Sequence, residues 1–157
     1  MAECVLFIGL PASGKTTFYQ RRFAETHRHI SKDHWPNASN KDARQADAMR
    51  AALSRADSVV IDNTNPTPAD RSPAIALARE YGARVIGYYF TATTREAVGR
   101  NRGREGKARV PDVAIFTTAK RMTIPAAEEG FDELYSVSIA SDGDFTVQPM
   151  IASVRER

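Results

Sequence analysis

The chain has 157 residues, 42% hydrophobic and 26% charged, with a net charge of +3 and an isoelectric point near 9.2. This size predicts a single domain over residues 1–157 with a core of its own, and the modest basic charge favours a polyanionic partner. There is no apolar run of about 18 residues and no signal-peptide pattern, which excludes a membrane span and leads us to expect a cytoplasmic protein.

Apolar runs alternate with amphipathic segments along the chain, which predicts strands alternating with helices. Strands are predicted at residues 3–8, 29–31, 58–61, 84–90, 134–139 and 145–147. Helices are predicted at residues 16–25, 41–56, 68–81, 94–104 and 112–122. Strands separated by helices form a parallel sheet covered on both faces. We therefore expect an α/β three-layer sandwich with about five parallel strands.

The segment directly after the first predicted strand, residues 9–16, reads Gly-Leu-Pro-Ala-Ser-Gly-Lys-Thr. This is the phosphate-binding loop G-x-x-x-x-G-K-[ST], in which glycines such as Gly9 and Gly14 let backbone N–H groups surround an anion. Lys15 is expected to reach the β- and γ-phosphates, and the Thr16 hydroxyl to ligate Mg²⁺. The loop predicts a P-loop NTPase-type fold that binds a nucleoside triphosphate. The other residues expected at the nucleotide are Ala12, Ser13 and Thr17.

Polar residues at the carboxyl ends of the other strands are the next candidates, because ligands bind at that edge of a parallel sheet. Asp33 follows the second predicted strand, where its carboxylate can accept the proton of an attacking hydroxyl. The alternative for Asp33 is a turn or helix-capping role. Asp62 ends the third strand, where an acid can hold a Mg²⁺-bound water. Three residues with hydrogen-bonding side chains follow it: Asn63, Thr64 and Asn65. They are expected either to bind the acceptor or to form an ordinary turn.

The segment at residues 95–109 carries six Lys or Arg residues against two Glu residues. Such a run is often a solvated helix face. Its place after the fourth predicted strand favours instead an arginine-rich lid that folds over the triphosphate, with Gly103 and Gly106 as hinges.

Segments spread along the chain together resemble the kinase domain of polynucleotide 5′-hydroxyl kinases, phage and animal repair enzymes. They are the phosphate loop, Ile-Asp-Asn-Thr-Asn-Pro at 61–66, Phe-Thr-Ala-Thr at 90–93, Arg-Asn-Arg-Gly-Arg at 100–104 before Arg-Val-Pro at 109–111, and Glu-Gly-Phe-Asp-Glu at 129–133. The likeness is collinear over about residues 4–139. The Asp-Asn-Thr-Asn-Pro and Arg-Asn-x-x-Arg segments are more discriminating than the phosphate loop.

The resemblance implies an enzyme that uses ATP and Mg²⁺ to phosphorylate the 5′-hydroxyl end of DNA or RNA. Asp33 matches the general base of the family, and Arg104 matches a lid arginine at the donor phosphates. Arg100 lies one helical turn before Arg104 on the same predicted face. The residues expected at the acceptor are Asp33, Lys32, Asn63, Thr64 and Asn65. The residues expected to act in catalysis are Lys15, Asp33 and Arg104, and those at the metal are Thr16 and Asp62.

Two departures from the family surround the predicted base. The family commonly has Asn-Arg-Asp where this chain has Ser-Lys-Asp at 31–33, and an arginine that grips the acceptor phosphate is replaced by Pro36. Proline cannot bind phosphate, so the acceptor must use another cation such as Lys32, bind more weakly, or be a different molecule. Nearby, His34 and Trp35 are expected either to stack on a base or simply to pack.

Two other functions stay open on the sequence. The first is a small-molecule kinase that acts on a sugar, a nucleoside or an antibiotic-like alcohol, since this scaffold accepts many acceptors. The second is a nucleotide-dependent binding switch without transferase activity, which would not need Asp33. If the chain is a polynucleotide kinase, the absence of a phosphatase or ligase segment leads us to expect that a separate protein completes end repair.

Overall fold

The computed structural model describes residues 2–151, apart from the side chains of residues 107 and 151; residues 1 and 152–157, the ends of the predicted domain, lie outside the described residues. Six strands form one sheet in the order β2-β3-β1-β4-β5-β6. The strands are β1 (Glu3–Ile8), β2 (His27–Ile30), β3 (Ser58–Asp62), β4 (Arg84–Phe90), β5 (Glu133–Ile139) and β6 (Phe145–Ile151). The first five are parallel, and β6 runs antiparallel to β5. The predicted parallel α/β sheet is confirmed.

Five helices connect the strands, as predicted. They are α1 (Lys15–Arg22), α2 (Lys41–Leu53), α3 (Pro68–Glu80), α4 (Thr94–Arg102) and α5 (Asp112–Arg121). Short 3₁₀ turns add to them at Lys32–His34, Gly106–Ala108 and Ala127–Glu129. Among the helices of residues 2–151, none is long and apolar enough to cross a membrane.

Several predicted helix ends were wrong, because tertiary contacts end the helices earlier. Helix α2 stops at Leu53 instead of residue 56, since Ala56 adopts a left-handed backbone with φ of 62°. Helix α1 stops at Arg22 instead of residue 25, where the Phe23 ring packs against the aromatic rings of the core. Helix α4 stops at Arg102 instead of residue 104.

The early end of α4 changes the position of the predicted lid arginine. The sequence predicted Arg100 and Arg104 on one helical face. Arg104 instead lies beyond the end of the helix, so that prediction was wrong. The Asn101 side chain, fully buried, fixes this turn by donating to the carbonyl of Val110 at 2.6 Å and accepting from its N–H at 3.0 Å. This pair of bonds closes the arginine-rich segment into a loop.

The core lies on both faces of the sheet, as the alternation of side chains along β1 requires. Leu6 and Ile8 are fully buried on one face against α2 and α3. Phe7 is fully buried on the other face, where its ring packs on Phe18 of α1 with centroids 5.7 Å apart. Because both faces are covered, the loops at the carboxyl edge are left to form a ligand site.

The register of the sheet brings the predicted site segments together. Phe7 of β1 lies beside Asp62 of β3, and Ile8 lies beside Tyr89 of β4. Just beyond the strand ends, the N–H of Gly9 donates to the carbonyl of Thr64 at 3.0 Å. The phosphate loop and the loop after β3 are therefore directly joined.

A fully buried arginine on α3, which the sequence did not single out, holds the loop after β3 in place. Arg71 donates through Nε to the carbonyl of Asn65 at 2.8 Å and through Nη2 to the carbonyls of Pro66 and Thr123 at 3.0 and 2.5 Å. Its Nη1 pairs with the Glu129 carboxylate at 3.0 Å. One guanidinium thus links the loop after β3, the end of α5 and the turn before β5.

Arg71→Lys is expected to lower the free energy of unfolding by about 2 kcal/mol or more, because a lysine ammonium cannot match the planar fork and leaves buried carbonyls without donors. Urea denaturation measures the loss. Arg121→Lys is the matched control. This nearby arginine is 57% exposed and, within residues 2–151, pairs only with Asp70, so the change is expected to cost less than about 0.5 kcal/mol. Equal losses in the two variants would contradict the role given to Arg71.

Candidate active site

The phosphate loop is packed so closely that its glycines cannot be replaced without strain. A Cβ atom on Gly9 would lie 2.8 Å from Cβ of Phe90, well inside normal contact distance. Gly14 has a φ of 96°, and Ala12 has a φ of 61°, both in the left-handed region. The loop therefore holds a backbone conformation that side chains disfavour, as is common where a backbone must approach a ligand.

The start of α1 provides donors for an anion. Gly14 precedes the helix and offers no side-chain cap, so the N–H groups of Lys15, Thr16 and Thr17 have no partner within the helix. The positive end of the helix dipole lies at the same place, and the buried Ser13 hydroxyl adjoins it. This arrangement fits a phosphate group.

The Lys15 ammonium is buried in the loop that it belongs to. Its Nζ donates to the carbonyls of Leu10 and Gly9 at 2.6 and 3.1 Å. Desolvation lowers the pKa of Lys15 to about 8, although the nearby Asp62 carboxylate acts in the opposite direction. A desolvated cation gains more from a bound phosphate than an exposed one does.

The two residues predicted at the metal, Asp62 and Thr16, are hydrogen-bonded to each other. The Asp62 carboxylate, 3% exposed, accepts through Oδ2 from the Thr16 hydroxyl at 2.9 Å and from Nε2 of His29 at 2.8 Å. The His29 ring stacks on Tyr19 with centroids 4.1 Å apart. Mg²⁺ prefers hard oxygen ligands and completes its shell with substrate phosphates and water, so a carboxylate and a hydroxyl beside a phosphate loop fit it.

Asp33 lies across the cleft from Lys15, in the 3₁₀ turn after β2. Ser31 caps this turn by accepting from the Asp33 N–H at 3.2 Å, so the capping role is not filled by Asp33. Within residues 2–151, the exposed Asp33 carboxylate makes no hydrogen bond and no ion pair. It is close enough to affect the pKa of both Lys15 and Arg104. The structure thus leaves Asp33 available to a ligand near the donor site.

The acceptor candidates Lys32 and Asn63 belong to one hydrogen-bond network. The Lys32 N–H donates to Oδ1 of Asn63 at 2.9 Å, and Nδ2 of Asn63 donates to Oε1 of Gln45 on α2 at 2.8 Å. The Lys32 ammonium pairs with the Asp42 carboxylate at 2.5 Å. A phosphate at Lys32 would therefore have to compete with Asp42.

The remaining acceptor candidates differ in their exposure. Asn65 is buried, and its amide donates to the carbonyl of Phe7 at 2.8 Å, so it supports the loop from inside. Thr64 is partly exposed and joins the phosphate loop through its backbone. Trp35 packs against the core beside α2, which favours the packing alternative for this side chain.

The two candidate lid arginines reach the cleft differently. Arg100 donates through Nε to the carbonyl of Ala12 at 3.1 Å, so α4 contacts the phosphate loop directly. Arg104 is half-buried, and desolvation together with the neighbouring Arg100 lowers its pKa, while Asp33 and Asp62 act in the opposite direction. Arg100 thus contacts the phosphate loop directly, and Arg104 lies close enough to Lys15 to lower its pKa.

Residues 4–125 of the sequence match a protein family described as an AAA domain. The chain belongs to this AAA domain family. The match covers the phosphate loop, β3 and the lid.

Two curated relatives extend the comparison of this AAA-domain chain. It is 28% identical over 139 residues to a bifunctional polynucleotide phosphatase/kinase of Schizosaccharomyces pombe, which covers 86% of this chain and 33% of the relative. It is 29% identical over 154 residues to a putative bifunctional polynucleotide phosphatase/kinase of Acanthamoeba polyphaga mimivirus. This match covers 94% of this chain and 36% of the relative. The chain thus spans about a third of the length of these relatives, and the resemblance noted from its motifs is confirmed.

Solved structures show the same fold. A sugar kinase from Janibacter superposes with a TM-score of 0.66 at 18% identity, covering 88% of this chain and 86% of that one. A fungal RNA kinase superposes with a TM-score of 0.64 at 17% identity, covering 87% of this chain and 38% of that one. These superpositions show that the chain shares the fold of both proteins.

The affinity of this AAA-domain chain for ATP is expected to fall about tenfold between pH 7 and pH 9. Free Lys15 loses its proton with a pKa of about 8, and the neutral amine attracts phosphate weakly, so binding at the higher pH must take up a proton. Titration calorimetry at fixed free Mg²⁺ measures both the affinity and the proton uptake.

Lys15→Arg is the control for this pH dependence. Its guanidinium does not titrate in this range, so the variant is expected to bind ATP more weakly but with a flat profile. A flat profile in the unaltered chain would contradict the desolvated state of Lys15.

Proposed function

We propose that this chain is an ATP- and Mg²⁺-dependent kinase that phosphorylates the 5′-hydroxyl end of DNA or RNA. The observation that carries the proposal is the position of Asp33. Within residues 2–151 its carboxylate makes no hydrogen bond and no ion pair. It lies just after β2, close enough to Lys15 and Arg104 to act on the pKa of both, where a hydroxyl can approach a bound triphosphate. A binding switch would not need a free carboxylate at this point.

The donor half of the site binds the triphosphate. Lys15 and the N–H groups at the start of α1 would hold the β- and γ-phosphates, and Arg100 and Arg104 would cover them from the lid. Thr16 and Asp62 would hold Mg²⁺, which neutralises phosphate charge when it is bound.

The acceptor half supplies the base. Asp33 accepts the proton of the 5′-hydroxyl as the hydroxyl oxygen forms a bond to the γ-phosphorus. The bond between the γ-phosphorus and the bridging oxygen breaks, and ADP leaves with the bonding electrons. Lys15 and Arg104 stabilise the negative charge on the transferring group, since both are cationic and partly or fully removed from water.

A nucleic acid acceptor is supported by the two curated relatives, whose names include polynucleotide kinase. The arginine-rich segment and the net charge of +3 add an electrostatic reason, because a polyphosphate gains from cations near its binding site. The proposal includes a cytoplasmic location and a phosphatase or ligase as a partner that acts on the same ends.

A small-molecule kinase is the second candidate, and one observation favours it. Pro36 is exposed where the family resemblance leads us to expect a phosphate-binding arginine, and the neighbouring Lys32 is already paired with Asp42. An acceptor without a phosphate would need neither an arginine at position 36 nor a free Lys32 ammonium. A sugar, a nucleoside or an antibiotic-like alcohol would meet this condition.

Incubation with γ-labelled ATP and a 5′-hydroxyl oligonucleotide tests the proposal. The label is expected at the 5′-terminal nucleotide after nuclease digestion, and an oligonucleotide that already carries a 5′-phosphate is expected to receive none. If no label reaches micromolar oligonucleotide while other alcohols are phosphorylated, the polynucleotide acceptor is wrong.

Asp33→Asn is expected to lower kcat for this transfer by about 100-fold or more, because the amide cannot take the proton. ATP binding should change little, since within residues 2–151 the Asp33 carboxylate makes no hydrogen bond to the phosphate loop and acts on Lys15 only as a minor charge. Asp47→Asn, an exposed carboxylate on α2, is the matched control and should leave kcat unchanged. Full activity of Asp33→Asn would remove Asp33 from the mechanism.

A further inference from the structure

We propose that a pocket between α2 and α3 binds a nucleobase of the acceptor, a subsite that rests on the proposed polynucleotide kinase activity. We name it the α2–α3 pocket, and its volume is about 210 Å³. Its walls are Gln45, Ala46 and Met49 on α2 and Pro73, Ala74 and Leu77 on α3.

The α2–α3 pocket adjoins the acceptor side of the site. Its lining residues extend from the first turn to the third turn of both helices, which begin at the carboxyl edge of the sheet. Lys32, next to the proposed base Asp33, lies at its mouth. Its wall residue Gln45 accepts from Asn63, the residue that follows Asp62. A group in the pocket would thus lie beside Lys32 and Gln45, which are both hydrogen-bonded to Asn63 on the acceptor side of the site.

The size of the pocket fits a flat ring. A buried apolar cavity of about 150 Å³ is large enough for benzene, so a cavity of about 210 Å³ has room for a somewhat larger heteroaromatic ring. The aliphatic side chains of Met49 and Leu77, both buried, form an apolar floor on which such a ring can rest. A nucleobase matches this combination of size and flatness.

The polar groups of the pocket match the edge of a base. Oε1 of Gln45 accepts from Asn63, and within the described residues no hydrogen bond involves Nε2 of the same side chain. Pro73 has no N–H, so the carbonyl of Ala69, another lining residue, lacks its helical donor. An unused amide donor and an unused carbonyl acceptor are the groups that read base edges.

The charged groups of the lining are already paired. Asp42 pairs with Lys32, and Asp70 pairs with Arg121. A phosphate inside the pocket would find no free cation among these groups, whereas an uncharged base does not need one. The sugar-phosphate backbone would then stay outside, where it can pass Lys32 toward Asp33.

Filling the pocket with a larger side chain should remove the contribution of the base to the KM of the oligonucleotide. In the unaltered chain, oligonucleotides that lack the base at the first or the second nucleotide are expected to show a KM about tenfold higher at one of these positions. Ala46→Leu, which places a larger side chain in the pocket, should raise the KM of the intact oligonucleotide about tenfold and leave that of the abasic one unchanged. Ala51→Leu, exposed on the same helix, is the matched control and should behave like the unaltered chain.

Two results would overturn the subsite. One is an equal KM for intact and abasic oligonucleotides in the unaltered chain. The other is an Ala46→Leu variant, folded by circular dichroism, that raises the KM of both oligonucleotides equally. In either case label transfer by the unaltered chain would still show the proposed kinase activity, so the two hypotheses fail separately.

A binding measurement tests the pocket without any turnover. Titration with adenosine 3′-phosphate, followed by the methyl resonances of the methionines, is expected to shift Met49, assigned by its loss in Met49→Leu. Ala46→Leu should abolish the shift. A titration that moves other methionines but not Met49, or moves none, would overturn the proposal even if the chain phosphorylated oligonucleotides.

Discussion

The buried ammonium of Lys15 is the charge around which the site is built. It is held by the carbonyls of Gly9 and Leu10 within its own loop, and its removal from water lowers its pKa to about 8. Carbonyl dipoles alone compensate such a cation poorly, so the ammonium gains strongly from a phosphate group bound at the loop. The carboxylates of Asp62 and Asp33 stand within its field, one beside the donor and one on the acceptor side.

This electrostatic centre depends on long-range packing for its shape. The carboxylate of Asp62 is oriented by two donors, Thr16 from α1 and His29 from β2. The loop that follows Asp62 is fixed from below by Arg71 and from the side by Gln45. Donor and acceptor halves are therefore parts of one hydrogen-bonded edge of the sheet, and a change in α2 or α3 can alter the acceptor without touching the nucleotide.

Short sequence patterns correctly predicted the motifs and the order of the strands and helices. The phosphate loop, the strand ends at Asp62 and Phe90 and the order of the elements all follow from motifs and periodicity over short stretches. Helix ends were less predictable, since a buried Phe23 ring or the left-handed Ala56 depends on the rest of the fold. The roles of the predicted site residues stay predictions until they are tested in solution.

The supporting residues could not be predicted, because their contacts join distant parts of the chain. Arg71 binds the carbonyl of Thr123, and His29 binds Asp62 across two parallel strands. An arginine in an amphipathic helix and a histidine in a short strand look like surface residues in sequence. The departure at Pro36 was visible in the sequence, but its meaning depends on the ion pair that occupies Lys32.

The most direct test of the account is a competition between acceptors for the same ATP. Equal concentrations of a 5′-hydroxyl oligonucleotide, a free nucleoside and gluconate are incubated with the chain, and the three products are separated and counted. The account predicts that the oligonucleotide takes nearly all of the label, because its terminal hydroxyl reaches Asp33 while its base binds in the α2–α3 pocket. Preferential labelling of gluconate or the nucleoside would contradict it, and would assign the site to a small-molecule alcohol.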